Sequence, residues 1–179
     1  MKSIQEMTPI ERADFCGTHI NSGLLEAILD EPFKNWLLTN GFFSAPASTK
    51  YHLNYEGGLC QHSLNVMDVL VDFNLSWMRP ESPFIVGMFH DLCKCDMYKY
   101  LDGQWCYNEN QLLKGHGDKS VILLSQFKVL TEEEILCIRY HMGAYEKEAW
   151  DQYDMAIKKY PNVLWTHHAD MIASKLIEV

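Results

Sequence analysis

Apolar residues recur at three- and four-residue intervals along most of this chain, in segments near 22–39, 58–77, 83–93, 118–128, 131–142, 148–160 and 162–177. A helix needs that period to gather apolar side chains on one face, so the spacing predicts a mainly helical fold. The start signals agree. Thr8-Pro9-Ile10-Glu11 and Thr131-Glu132-Glu133-Glu134 read as capping boxes, the first with proline at the opening helical position, and Ser82-Pro83 opens another helix in the same way. Pro32 is expected to break or kink the first long segment.

The period changes once. Residues 97–101 and 104–107 are aromatic-rich and alternate around Asp102-Gly103, which predicts a small β-hairpin near 97–107. Residues 42–57, which include His52, sustain no period and have loop composition. No repeat, low-complexity tract or Pro/Gly/Ser-rich linker divides the chain. The expectation is an all-α single domain over 1–179, with N-terminal helices within 1–45 and one hairpin.

Composition narrows what such a domain does. At 179 residues and 47% hydrophobic content, the chain is long enough to enclose a buried polar site. Its net charge of -9 argues against a broad cationic surface for nucleic acid or anionic membrane, although a bound metal can override the global sign for a small anionic ligand. Neither a signal-peptide core nor a membrane-length apolar run is present, so a cytoplasmic location is expected. Cys16, Cys60, Cys93, Cys95, Cys106 and Cys137 form no paired framework and read as free thiols, with Cys93 and Cys95 as small apolar fillers.

The candidate chemistry lies in histidines and aspartates that fall in apolar surroundings. His62 sits among Leu59, Val66, Val69 and Phe73 on a predicted helix, where a lone histidine is usually a core residue with one hydrogen bond. His90-Asp91 follows the apolar run 84–89, and a carboxylate buried beside an imidazole is costly unless a cation or a donor compensates it. Asp170 lies in a further apolar helical context and would pass for a surface acid if it stood alone. His116 is flanked by glycines that allow close backbone approach, and His141 ends an apolar helix.

In chain order these residues read H, HD, H, H, D. Residues 50–175 thereby resemble the HD superfamily of metal-dependent phosphohydrolases, with local similarity to the HD domains of bacterial 3'-to-5' exoribonucleases. The similarity is carried by Lys50-Tyr51-His52, Gly57-Gly58-Leu59-Cys60-Gln61-His62-Ser63-Leu64, His90-Asp91-Leu92-Cys93-Lys94, Gly115-His116, Tyr140-His141 and His168-Ala169-Asp170. It implies an HD-type helical bundle in which His62, His90, Asp91 and Asp170 hold a first metal ion. Asp91 would then be shared with a second ion on His116 and His141. Two adjacent histidines stand in the place of Tyr140-His141 in the richest version of the pattern, so Tyr140 removes one possible ligand and makes the second ion conditional.

Imidazole with carboxylate suits Fe, Mn, Co, Ni or Zn, and the mixed donor set fits catalysis better than a closed structural site. The resemblance implies phosphate-ester hydrolysis by metal-activated water on a small phosphorylated substrate, with a nucleotide as the family's expectation. Asp91 and Lys94 are the candidate catalytic residues. Lys94 is also the first candidate to bind substrate, with His52 and His168 near the site; Arg139 and Lys119 are weaker candidate cations. Tyr51, Tyr55, Tyr98, Tyr100 and Trp105 could stack on a base, though packing of the hairpin on the bundle is the commoner reason for such residues. His19 and His167 read as structural. The same ligand order resembles HD-type di-iron oxygenases, and a non-catalytic ligand-binding HD module is a third alternative.

Overall fold

A computed structural model of the chain describes residues 2–20, 23–145 and 150–178. It is mostly helical, with α1 (Pro9–His19), α2 (Leu25–Ile28), α3 (Glu31–Thr39), α4 (Gly58–Asp72), α5 (Ser82–Phe89), α6 (Gly117–Leu124), α7 (Glu132–Arg139), α8 (Trp150–Lys159) and α9 (Asn162–Ile172). A π-helical turn, Ala173–Ile177, continues α9. Strands β1 (Tyr98–Leu101) and β2 (Gln104–Tyr107) pair antiparallel, with Tyr98 opposite Tyr107 and Tyr100 opposite Trp105. Asp102 and Gly103 turn the hairpin at φ +50° and +82°, the positive values a type I′ turn demands. The expected all-α architecture with one hairpin is what the chain adopts.

Helix α4 lies at the centre, packed against α5, α9 and the π-helical turn, and buries Leu59, Leu64, Val66, Met67 and Leu70. An aromatic cluster fills the space toward the N-terminal helices. Phe33 meets Phe89 edge-on at 4.9 Å between ring centroids and stacks on Phe127 at 4.9 Å. Gly87 lets α5 approach α4 closely, since a Cβ there would stand 2.4 Å from Met67 Cα. Among the described residues, no helix is long and apolar enough to cross a membrane.

Several element ends differ from the expectation. The segment 22–39 divides at Asp30, whose carboxylate accepts from Phe33 N and starts α3, so Pro32 opens a helix there and kinks none. Residue 22 and residues 148–149 of two expected helices lie outside the described residues. Helix α4 ends at Asp72, just before Asn74 at φ +49°, well short of residue 77. Helices α5, α6 and α7 stop at Phe89, Leu124 and Arg139, each three or four residues before the apolar pattern fades.

Residues 42–57 form the expected loop, pinned from below by Arg12. The buried guanidinium donates from Nε to Ile4 O at 2.9 Å and from Nη1 to Phe43 O at 2.7 Å, with Glu56 Oε1 at 3.2 Å. Gly57 passes over it at φ +86°, where a Cβ would overlap the guanidinium at 2.4 Å, so only glycine fits. Ser48 Oγ then donates to His52 O at 2.8 Å and accepts from Tyr51 N at 2.9 Å, which fixes the backbone that carries His52.

Candidate metal centre

The six candidate ligands come from five places in the chain, three of them at helix ends. His62 projects from the first turns of α4 and Asp170 from the later half of α9. His90 caps the C-terminus of α5, Asp91 begins the 3-10 turn that follows, His116 is the N-cap of α6, and His141 comes just after the C-cap of α7. The structure brings all six together. Donor atoms of His62, His90 and Asp91 lie within 4.8 Å of one another, as do those of His90, His141 and Asp170 and those of Asp91, His116 and His141.

Asp91 is the hub. Its Oδ2 lies 3.5 Å from His62 Nε2, 3.6 Å from His90 Nε2 and 2.6 Å from Lys94 Nζ. Its Oδ1 lies 3.0 Å from His116 Nε2 and 3.4 Å from His141 Nε2. Asp170 Oδ1 stands 3.2 Å from His62 Nε2.

Each imidazole is oriented by its other nitrogen. His90 Nδ1 and His141 Nδ1 lie 2.9 and 2.7 Å from the carbonyls of Gly87 and Ile138. A carbonyl only accepts, so both Nδ1 atoms carry the hydrogen and, in the neutral rings, both Nε2 lone pairs face the centre. His62 Nδ1 bonds Glu178 Oε1 at 2.9 Å, and His116 Nδ1 lies 3.2 Å from Cys93 Sγ.

These residues fit a divalent cation on three grounds. His90 Nε2 and His62 Nε2 stand 3.3 Å apart, a repulsive contact unless a proton or a cation lies between the lone pairs. Among the described residues, Asp91 Oδ1 and His141 Nε2 are buried and complete no hydrogen bond, Oδ1 meeting only the imidazole nitrogens of His116 and His141, which is expensive for a carboxylate oxygen. The donor set of imidazole nitrogens and carboxylate oxygens suits a borderline transition metal.

The electrostatics favour the same occupant. Burial pushes His90 down to about 3, and the nearby His141 and His62 rings act in the same direction, so it is a neutral donor. Burial also holds His116 low. Burial would raise Asp91, but Lys94, His90 and His116 outweigh it and keep the carboxyl well below the usual carboxylate range. His62 carries the balancing charge, because its hydrogen bonds to Asp170 and Glu178 overcome burial and lift it to about 9.

A pocket of about 390 Å³ opens onto the centre, lined in part by His52, Asp91, Lys94, Tyr98, His116, His167, Asp170 and Lys175. His52 and Lys94 thus line the opening onto the centre. Arg139, Lys119 and His168 do not reach the pocket. Arg139 pairs with Asp118 at 2.6 Å and lies over the Tyr140 ring, while buried Lys119 is held by Asp96 and by Gln111 Oε1 at 2.9 Å. His168, between the pocket-lining His167 and Asp170 on α9, lines a separate apolar groove with Phe73, Trp165 and Leu176.

Its neighbour His167, read from sequence as structural, lines the pocket and donates from Nδ1 to His141 O at 2.8 Å. His19 lies apart from the centre, 3.6 Å from Asp68. All six cysteines are free, and Cys93 supports His116 in addition to filling space.

Sequence reasoning missed Glu178, Asn65, Lys175 and the pocket role of His167. Asn65 Nδ2 donates to Glu178 Oε1 at 2.9 Å and so steadies the carboxylate behind His62. No local pattern marks Glu178, whose partner is 116 residues away. Comparison with protein-family models, with curated proteins and with solved structures returned no match.

Proposed function

We propose that this chain is a metal-dependent phosphohydrolase of the HD superfamily, acting on a small phosphate ester. One observation carries the reading: the buried Asp91 and half-buried Asp170 carboxylates and four imidazole Nε2 atoms converge, with each Nδ1 engaged elsewhere, at the floor of a pocket that also presents Lys94 and Lys175. His62, His90, Asp91 and Asp170 would hold one ion, and Asp91, His116 and His141 a second. When bound, such an ion lowers the pKa of a coordinated water and neutralises charge on a phosphoryl oxygen.

The chain's own groups then divide the remaining work. Asp91 spans both halves of the donor set through its two oxygens and cannot turn, since Lys94 holds Oδ2 at 2.6 Å. The Lys94 ammonium stays protonated because Asp91 outweighs the effect of burial, and it places a positive charge at the pocket wall for a phosphoryl oxygen. Lys175, from the π-helical turn, also lines the pocket and adds a second cation. His167, with Nδ1–H committed to His141 O, keeps Nε2 available to take up a proton beside the substrate. A volume of about 390 Å³ admits a substrate of mononucleotide size.

The test combines metal analysis of the purified protein with an anaerobic screen of phosphomonoesters and phosphodiesters in the presence of added Mn or Co. At least one bound ion and phosphate-ester cleavage without oxygen are expected. Oxygen consumption with a mixed-valence iron signal and no cleavage would replace this reading with the di-iron oxygenase. Absence of metal binding would leave a ligand-binding module.

A further inference from the structure

The metal pocket is not the only sizeable groove among the described residues. A cavity of about 730 Å³ lies beside it, between the loop 42–57 and the hairpin, and is walled by Tyr55, Tyr100 and Trp105 with Asn54, Glu56 and Gln104 among its polar groups. We infer that this groove is a binding site for an uncharged planar heterocycle of nucleobase type. The inference rests on the phosphohydrolase reading only in taking that heterocycle to be part of the substrate.

Packing does not explain Tyr100. Tyr100 is 59% exposed although it sits in a regular strand. A ring used to bury the hairpin on the bundle would lose that exposure, as burial is what makes aromatic packing favourable. Instead, Tyr100 and its cross-strand partner Trp105 hold each other edge to face, with centroids 5.2 Å apart and planes at 62°. The pair forms an open corner in which one ring can stack on a flat ligand while the other meets its edge. Tyr55 closes the groove from the loop side.

The polar groups select the kind of flat ligand. Among the described residues, no lysine, arginine or histidine lines the groove, and Glu56 is its one charged group. A phosphate would find no partner there. Among the described residues, the side-chain amides of Asn54 and Gln104 have no hydrogen-bond partner, so each offers a donor beside an acceptor, the pattern that matches the edge of a base. Glu56 can accept from an exocyclic amine.

Position links the groove to the centre. Residues two apart on a strand share a face, and Tyr98 lines the metal pocket while Tyr100 lines the groove, roughly 7 Å further along β1. The loop repeats the arrangement, with Ser48 and His52 on the pocket side and Thr49 and Asn54 on the groove side. The two cavities therefore share one wall. A ligand with its phosphate at Lys94 and its base against Trp105 would lie across it.

The experiment titrates the purified full chain with each of the four common ribonucleosides, which lack phosphate, and follows tryptophan fluorescence and ligand NMR line broadening. Ribose and methyl glucoside are the comparison ligands. At least one nucleoside should bind and both sugars should not. Trp105→Phe should remove the fluorescence response while binding persists by NMR. Trp105→Ala and Tyr100→Ala should each weaken binding by roughly 5- to 150-fold, the range for losing one base-stacking ring.

Tyr107→Ala changes an exposed hairpin ring outside the groove and should bind as the unaltered chain does. No nucleoside binding, equal binding of a sugar, or binding indifferent to both alanine substitutions would overturn the inference. Nucleoside binding by a protein that cleaves no phosphate ester would overturn the phosphohydrolase reading and leave the groove standing.

Discussion

Replacing Asp91 with asparagine keeps the shape of the hub and removes its charge. In the metal-free protein this strands Lys94, whose Nζ is 2.6 Å from Asp91 Oδ2 in a residue only 9% exposed. Removing one partner of a buried pair typically destabilises by about 3–5 kcal/mol, because the other charge stays buried and uncompensated. Relief of Asp91's own desolvation works against this, so about 3 kcal/mol is the expected loss, measured by urea unfolding in chelator.

The loss should depend on pH in a defined direction. Burial lowers the Lys94 pKa and Asp91 raises it above its ordinary value; in Asp91→Asn the largest remaining influence is burial, so the folded value falls below the unfolded one. The unfolded state then binds more protons than the folded state, and the stability of the variant should rise with pH up to about 10.4, the unfolded lysine value. Adding Lys94→Met removes the stranded charge and should recover part of the loss, with a coupling of roughly 0.5–3 kcal/mol. Metal content should fall to background in Asp91→Asn. An Asp91→Asn protein that kept its metal, or matched the unaltered chain in stability at every pH, would refute the assignment of Asp91 as the hub.

Further expectations concern the shell around the centre. Glu178→Ala should weaken metal binding by roughly 10- to 100-fold in a chelator competition, with Glu178→Gln milder because its amide oxygen still accepts from His62 Nδ1; unchanged affinity would reduce Glu178 to a tether for the chain end. His62, raised to about 9 in the metal-free protein, gives stability that is fully present below about 6.5 and is lost as pH rises through 9. Metal binding at pH 7 must displace that proton, so calorimetry in buffers of different ionisation enthalpy should report release of about one proton, and no buffer dependence would remove His62 Nε2 from the ligand set. Gly87→Ala should lower stability by about 3 kcal/mol in thermal unfolding, since its Cβ would meet Met67 Cα at 2.4 Å and force α5 off α4.

The helices and the hairpin were legible because their signals are local. Thr8, Thr131 and the Asp102-Gly103 pair each fix backbone geometry within a few residues, and the apolar period marks the buried faces. Helix ends were less legible, and at the centre the reason is functional. Neighbouring side chains on a continuous helix diverge by about 100°, so His90 and Asp91 can converge on one point only because α5 stops at Phe89. The apolar run continues through Leu92 and Cys93 and hides that break. Lys119 and Arg139 were indistinguishable from pocket cations in sequence, because their partners Asp96 and Asp118 become visible only when α6 and α7 are placed. Glu178 and His167 depend on contacts between distant segments and carry no local signal at all.

The structure also relocates the asymmetry between the two halves of the centre. In sequence it rested on Tyr140, which stands where a further histidine ligand might have been. Tyr140 is buried in the core, 6.2 Å from the Tyr153 ring and beneath Arg139, so it serves packing.

The orienting partners supply a physical basis for the difference. His62 is held by a carboxylate, and His90 and His141 by backbone carbonyls. His116, the most exposed of the four rings, is held by the sulfur of Cys93, whose pKa burial pushes up to about 12, so it stays a thiol. A thiol sulfur is a weak acceptor and fixes a ring less firmly than oxygen does. The half built on His62, His90, Asp91 and Asp170 is thus preorganised, whereas the half that depends on His116 would have to order a ring to take an ion. On that account the firmness of His116, and not the loss of a ligand at position 140, would decide whether the proposed centre takes one ion or two.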